Sequence, residues 1–166
     1  MKTKIKIDKK QLIKIIIADL QKELTQAQQA ANEAHAAAVD DQSVAETQYD
    51  TLAIEASYLA EGQSRRVQEY QLAIDNFNAI ICKDYSYNDV VSLSALVQLN
   101  NDAQMNHWFF IAPAAGGFRC QLAQQHITVI TPQSPMGLAL LGKQQDDDIK
   151  VALGNNALND YIHLVL

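Results

Sequence analysis

With 166 residues and 48% hydrophobic side chains, the chain is long enough for one domain or a small domain with an appended element, and too apolar for wholesale disorder. A net charge of −6 excludes a global electrostatic grip on nucleic acid. The charge is uneven: Lys2, Lys4, Lys6, Lys9, Lys10 and Lys14 crowd the start, while Asp40, Asp41 and Asp146, Asp147, Asp148 form acidic spots. Cys82 and Cys120 have neither a CxxC nor a Cys/His spacing, so two free thiols in a reducing, cytoplasmic compartment are expected. The opening MKTKIKIDKKQLIKIIIADL is broken by Lys14 and Asp19 and lacks a small-residue cleavage site, and no run is long enough to span a bilayer; neither a signal peptide nor a membrane partner is expected.

Lys9 to Val39 contains no Pro or Gly. Its apolar residues Ile13, Ile17, Leu20, Leu24, Ala27, Ala31, Ala34 and Ala38 alternate steps of four and three, a heptad seam that tapers from Ile/Leu to Ala. Val44 to Cys82 repeats the pattern with Leu52, Ala56, Leu59, Val67, Tyr70, Ile74, Phe77 and Ile81, interrupted by Gly62, which a close helix contact would justify. Two such seams predict an antiparallel coiled-coil hairpin over residues 1–84, with its tip near 40–46. Asp40 and Asp41 are placed in the turn, and Ser43 with Glu46 fits a capping box at the start of the second helix.

After KDYSYND the periodicity changes. Val90–Leu99, Trp108–Ile111, Phe118–Leu122, Ile127–Thr131, Ile149–Leu153 and Tyr161–Leu166 read as short strands, and APAAGG and LGNNALND as hairpin turns. One short helix is predicted over Pro135–Leu141, with Ser134 as N-cap, Pro135 at the first helical position and Gly142 as the stop. The expected class is α+β: a helical hairpin, then a small antiparallel β domain over 85–166 crossed by one helix.

The segment SPMGLALLGKQQDDD, from Ser134 to Asp148, carries a family resemblance. Ser134-Pro135, Leu140-Leu141-Gly142-Lys143 and Asp146-Asp147 stand in the order and spacing of the late Ser-Pro, Leu-(Ile/Leu)-Gly-Lys and acidic steps of the Gre (GreA/GreB) bacterial transcription elongation factors. Tyr49, Glu61-Gly62 and the stretch Arg65-Arg66-Val67-Gln68-Glu69 add matches in the second helix. The resemblance spans nearly the whole chain and implies an FKBP-like fold for the β domain.

It also implies a function. In that family the hairpin enters the secondary channel of RNA polymerase and its tip carboxylates help the polymerase's own Mg²⁺ site cut backtracked RNA. Carried over, Asp40, Asp41 and Glu46 become the tip acids, with Asp41 and Glu46 as Mg²⁺ ligands only within the polymerase complex, since Mg²⁺ takes one or two carboxylates plus waters and phosphates. Ser134, Pro135, Asp146 and Asp147 become the polymerase-docking residues. The implied partners are bacterial RNA polymerase and, through it, the nascent RNA; the free protein has no cofactor and is no enzyme. The tip departs from the family's Asp-x-x-Glu-Asn-Ala-x-Tyr: Asp41 and Glu46 are five apart rather than three, and Thr47-Gln48 stand in the following steps.

That departure keeps a second reading open, a non-catalytic channel binder that inhibits polymerase or competes with true Gre factors. A third, a prolyl isomerase, would need an aromatic-lined pocket from Trp108, Phe109, Phe110, Phe118 and Tyr161. Other candidates have plainer explanations. Acids at a helix start favour its dipole, Asp148 suits the opening of a strand, and Arg65 and Arg66 suit a solvated face. Gly116-Gly117 lacks the Gly-Lys-Ser/Thr ending of a phosphate loop, and His35, His107, His126 and His163 are scattered.

Overall fold

The structure is a computed structural model that describes residues 6–41 and 50–166. Its elements are α1 (Lys9–Asp41), α2 (Asp50–Ala79), β1 (Leu96–Leu99), a 3₁₀ turn (Ala103–Met105), β2 (His107–Ile111), β3 (Arg119–Leu122), β4 (Gln125–Ile130), α3 (Pro135–Leu140), β5 (Asp148–Leu153) and β6 (Asn156–Val165). The class is α+β, as expected: a helical hairpin followed by a six-stranded sheet and one short helix. Two compact units result, Ile17–Asp75, and Met1–Ile16 together with Asn76–Leu166.

In the first unit, Leu20, Ala27, Ala34 and Ala38 of α1 and Ala73 and Ile74 of α2 are buried, with Leu24 and Ala31 half-buried. The heptad seam is real, and its taper to alanine leaves little side chain between the helices. Tyr70 Oη donates to Glu23 Oε2 across them at 3.3 Å. The predicted stripe of α2 fails at Leu59, which is exposed. Gly62 is exposed too, and a Cβ there would meet nothing within 4 Å, so no close helix contact explains it. Arg65 reaches Glu61 at 3.5 Å and Arg66 reaches the Tyr70 hydroxyl at 3.3 Å, both on the exposed face.

In the second unit, Leu12 and Ile16 are fully buried, while Ile13 is half-buried. The buried face there is one residue out of step with the predicted seam. The second helix stops at Ala79, short of the expected Cys82, and Ile81 is left 85% exposed.

The strands lie in the order β3-β4-β2-β1-β6-β5. Every pair is antiparallel except β2 and β4, which run parallel with His107 opposite His126 and Ile111 opposite Ile130. The expected all-antiparallel sheet is thus corrected to a mixed one. The reason is that APAAGG is not a hairpin turn. β4 takes the place between β2 and β3, and the loop is pinned to it: Ala112 N donates to Ile130 O at 2.9 Å and Gly117 N to Val129 O at 2.8 Å. The actual hairpin joins β3 to β4 through Ala123 and Gln124, both at positive φ (50° and 63°), the signature of a primed two-residue turn. LGNNALND does hold a hairpin turn, as expected, but one confined to Gly154 and Asn155 between the paired Leu153 of β5 and Asn156 of β6. Val90–Ala95 is not strand; Ser94, at φ 71°, turns the chain into the short β1.

One face of the sheet packs Val97, Leu99, Ile111, Ile130, Val151, Ile162 and Val165 together with Leu140 of α3. Strand alternation puts Trp108 and Phe110, both fully buried, on the other face.

Lys9 is buried at the start of α1, its ammonium donating to the Lys83 carbonyl and lying 4.7 Å from the centre of the Tyr85 ring. Burial lowers its pKa from 10.5 to about 8, against smaller upward pulls from Cys82 and Asp84. Because the folded value is the lower one, the cost of charging Lys9 in place is fully present below about pH 8 and is relieved as pH rises toward 10.5. We expect unfolding free energies measured in urea to rise by about 1–2 kcal/mol between about pH 8 and 10 relative to Lys9→Met, after allowing for solvent screening. Parallel pH profiles for the two proteins would refute this.

Candidate functional site

The Ser134–Asp148 segment folds as its local chemistry dictates. Ser134 is extended (φ −68°, ψ 153°), and its Oγ accepts from the Gly137 N–H at 3.0 Å while donating to the Thr131 carbonyl at 2.7 Å. Pro135 occupies the first helical position, where a missing N–H costs nothing. The helix ends one residue earlier than predicted, at Leu140, and Gly142 follows at φ 79°. α3 buries Gly137 and Leu140 and exposes Pro135 and Leu138. The loop beyond is tied to the chain before β1 by Gly142 N to Val91 O (3.0 Å) and Val91 N to Lys143 O (2.8 Å).

The two predicted docking acids are held differently. Asp147 caps its own turn, accepting from the Gln144 N–H at 2.7 Å, and its carbonyl accepts from Ile162 N at 3.0 Å. Asp146 sits at φ 69°, a left-handed conformation that Asp tolerates better than most residues, and its side chain is exposed. It accepts from the Tyr87 hydroxyl at 2.7 Å. That hydrogen bond, with the carboxylate's charge, holds the Tyr87 phenol above its ordinary pKa. Tyr87 is the residue that sequence reasoning missed: it is 59 positions from Asp146, and no local signal connects them. Asp148 opens β5, as expected. Ser134, Pro135, Asp146 and Asp147 thus bracket one short helix and its following loop, with Leu138 exposed on the helix and Tyr87, exposed too, bonded to Asp146.

At the tip, α1 continues through Asp40 and Asp41, so both belong to its last turn rather than to the connection. This corrects their placement: they stand at the negative end of the α1 dipole, the less favourable end for an acid. Glu46 and the Ser43 cap lie outside the described residues. Among the described residues no group of three or more His, Cys, Asp or Glu is placed to hold a metal ion, and no helix is long and apolar enough to cross a membrane.

No protein-family model matches the chain, and no curated protein matches it. Several solved structures are similar to it, among them three of one kind. One is described as the structure of the transcription factor Gfh1, with 18% identity over 89% of this chain and 93% of that one and a TM-score of 0.36. GreA factor homolog 1 (Gfh1) of Thermus thermophilus has 16% identity over 90% and 94%, with a TM-score of 0.36. Thermus aquaticus Gfh1 has 18% identity over 89% and 92%, with a TM-score of 0.38. At these identities and TM-scores, what the chain does has to be judged from its own residues.

Those residues weigh against a prolyl isomerase pocket. Trp108 and Phe110 are fully buried, Phe109 packs against the core, and Tyr161 is exposed on another strand, so these four aromatics do not converge on one open cavity. Cys82 and Cys120 are half-buried free thiols, and burial pushes the Cys120 thiol up.

Proposed function

We propose that the chain is a Gre-type transcription factor that binds bacterial RNA polymerase at its secondary channel. The observation that carries this reading is the Ser134–Asp147 segment. Its residues match the family's late motif in order and spacing, and they fold into a capped helix with a rigid acidic loop that leaves Pro135, Leu138 and Asp146 open to a partner. Supporting it is a helical hairpin built from helices of 33 and 30 residues. In this reading Ser134, Pro135, Asp146 and Asp147 dock on the polymerase, and the tip acids Asp40, Asp41 and Glu46 act inside the channel. Asp41 and Glu46 would offer carboxylate oxygens to Mg²⁺ in the polymerase active site, which supplies the electrophilic help for RNA hydrolysis. The chain's own part is to bring negative oxygens to that metal and the nascent RNA.

A second reading, a binder that blocks the channel or displaces a true Gre factor without promoting cleavage, is favoured by the five-residue Asp41–Glu46 spacing. Pull-down with core RNA polymerase and cleavage in stalled elongation complexes with Mg²⁺ separate the two. Binding is expected to fall at least about tenfold in Asp146→Lys, a charge reversal at the docking loop. Asp41→Ala with Glu46→Ala is expected to retain binding. Loss of RNA shortening in that double variant identifies a cleavage factor. Competition without shortening in the native protein identifies the blocker. No retention on polymerase would reject both.

A further inference from the structure

The parallel pairing of β2 with β4 brings together two histidines that lie far apart in the sequence. His107 and His126 are register partners, and β3 sets Arg119 opposite Thr128 and Gln121 opposite His126. Register partners share a face of the sheet, so His107, Arg119, Gln121, His126 and Thr128 lie on one side. A cavity of about 430 Å³ opens there, lined by His107, Arg119, Cys120, His126, Ile127 and Thr128. In a chain of net charge −6, this lining holds no carboxylate.

Asp102 Oδ1 is 3.5 Å from His107 Nδ1, and His107 Nε2 is 2.9 Å from Thr128 Oγ1. The His107 ring is thus held between Asp102 and Thr128. With the proton on Nε2 it donates to Thr128 Oγ1, which leaves the threonine hydroxyl proton for a group in the cavity. Arg119 has no ion-pair partner among the described residues and His126 is exposed. The Cys120 side chain alternates to the other face of β3, so its thiol does not share this side. An oxyanion in this space would accept from the Arg119 guanidinium, a ring N–H of His126 and the Thr128 hydroxyl.

We propose that this cavity binds a phosphate-type oxyanion through Arg119, His126 and Thr128, with His107 and Asp102 as positioning residues. The cavity has room for the group that bears the phosphate as well as for the phosphate itself. The site is independent of the polymerase reading.

Amide NMR of the full chain, titrated with inorganic phosphate, tests it. Shifts confined to β2, β3 and β4 are expected. Arg119→Gln and His126→Gln should each weaken binding about tenfold, and Asp102→Ala should weaken it less, with Asp102→Asn, whose Oδ1 can still accept from the His107 ring, restoring it. Unchanged Trp108 fluorescence certifies that the variants are folded. Adenosine monophosphate and a short single-stranded RNA, run in parallel, distinguish a small phosphate ester from a nucleic-acid backbone by which binds more tightly. Absence of shifts, shifts spread over the whole chain, or undiminished binding in Arg119→Gln and His126→Gln would overturn the proposal.

Discussion

Gly137→Ala is expected to destabilise the chain by about 3 kcal/mol in urea unfolding and to release the Ser134 cap. A Cβ at this position would lie 2.0 Å from the Thr131 carbonyl oxygen, 2.9 Å from its carbon and 3.1 Å from Ser134 Oγ. None of these atoms is free to yield. Thr131 O already accepts from Ser134 N at 3.0 Å and Ser134 Oγ at 2.7 Å. Relief requires α3 to lift, which pulls the fully buried Leu140 from its cluster, or Ser134 to let go, which strips the Gly137 N–H of its acceptor. Gly62→Ala is the matched control: with nothing within 4 Å, it should stabilise α2 by about 0.5–1 kcal/mol through helix propensity alone. A loss below about 1 kcal/mol at Gly137 would show that the turn adapts, and that its glycine is dispensable to the Ser134–Asp148 segment.

Trp108→Ala is expected to cost about 3–5 kcal/mol, the range for emptying a buried aromatic site. Trp108 is fully buried on β2, a strand hydrogen-bonded on both sides, by β1 and β4, and its indole N–H donates to Gln125 Oε1 at 2.8 Å. Trp108→Phe keeps most of the apolar surface and loses the hydrogen bond, so about 1–2 kcal/mol is expected. Circular dichroism in urea must report the alanine variant, because Trp108 is the sole tryptophan of the chain. Equal losses for Phe and Ala would mean that the indole hydrogen bond, and not the filled volume, dominates.

What could be read from the residue order was the chemistry that acts over a few positions. Ser134, Pro135 and Gly142 each announce a helix boundary by their own backbone preferences, and the structure uses all three. The heptad spacing of Leu20, Ala27 and Ala34 is likewise a local period, and these side chains are buried. Pairings between distant segments were not legible. Glycines made APAAGG resemble a hairpin turn, while the true hairpin turns on Ala123 and Gln124, residues that rarely adopt positive φ and advertise nothing. The parallel partnership of His107 with His126 depends on β4 slotting between β2 and β3, so the two histidines looked scattered. The shift from Ile13 to Leu12 and Ile16 reflects packing demands of the sheet-bearing unit, which a heptad count cannot contain. Ser134 and Pro135 cap and open α3 where predicted, whereas the bond between Tyr87 and Asp146 joins positions too distant for any local signal.

The place of β6 bears on how the protein is made. It lies between β1 and β5, and Leu96 and Leu166 exchange backbone hydrogen bonds at 3.0 and 2.9 Å. The hairpin arms need only partners close at hand and can be complete early in translation. β1 is synthesised well before Asn156–Val165 leaves the ribosome, and until then one flank of Leu96–Leu99, four buried residues in the finished protein, stays unpaired. A nascent or clipped chain without its last strand therefore offers a short, apolar, hydrogen-bond-hungry edge to its neighbours, and self-association during biogenesis is the hazard this topology carries.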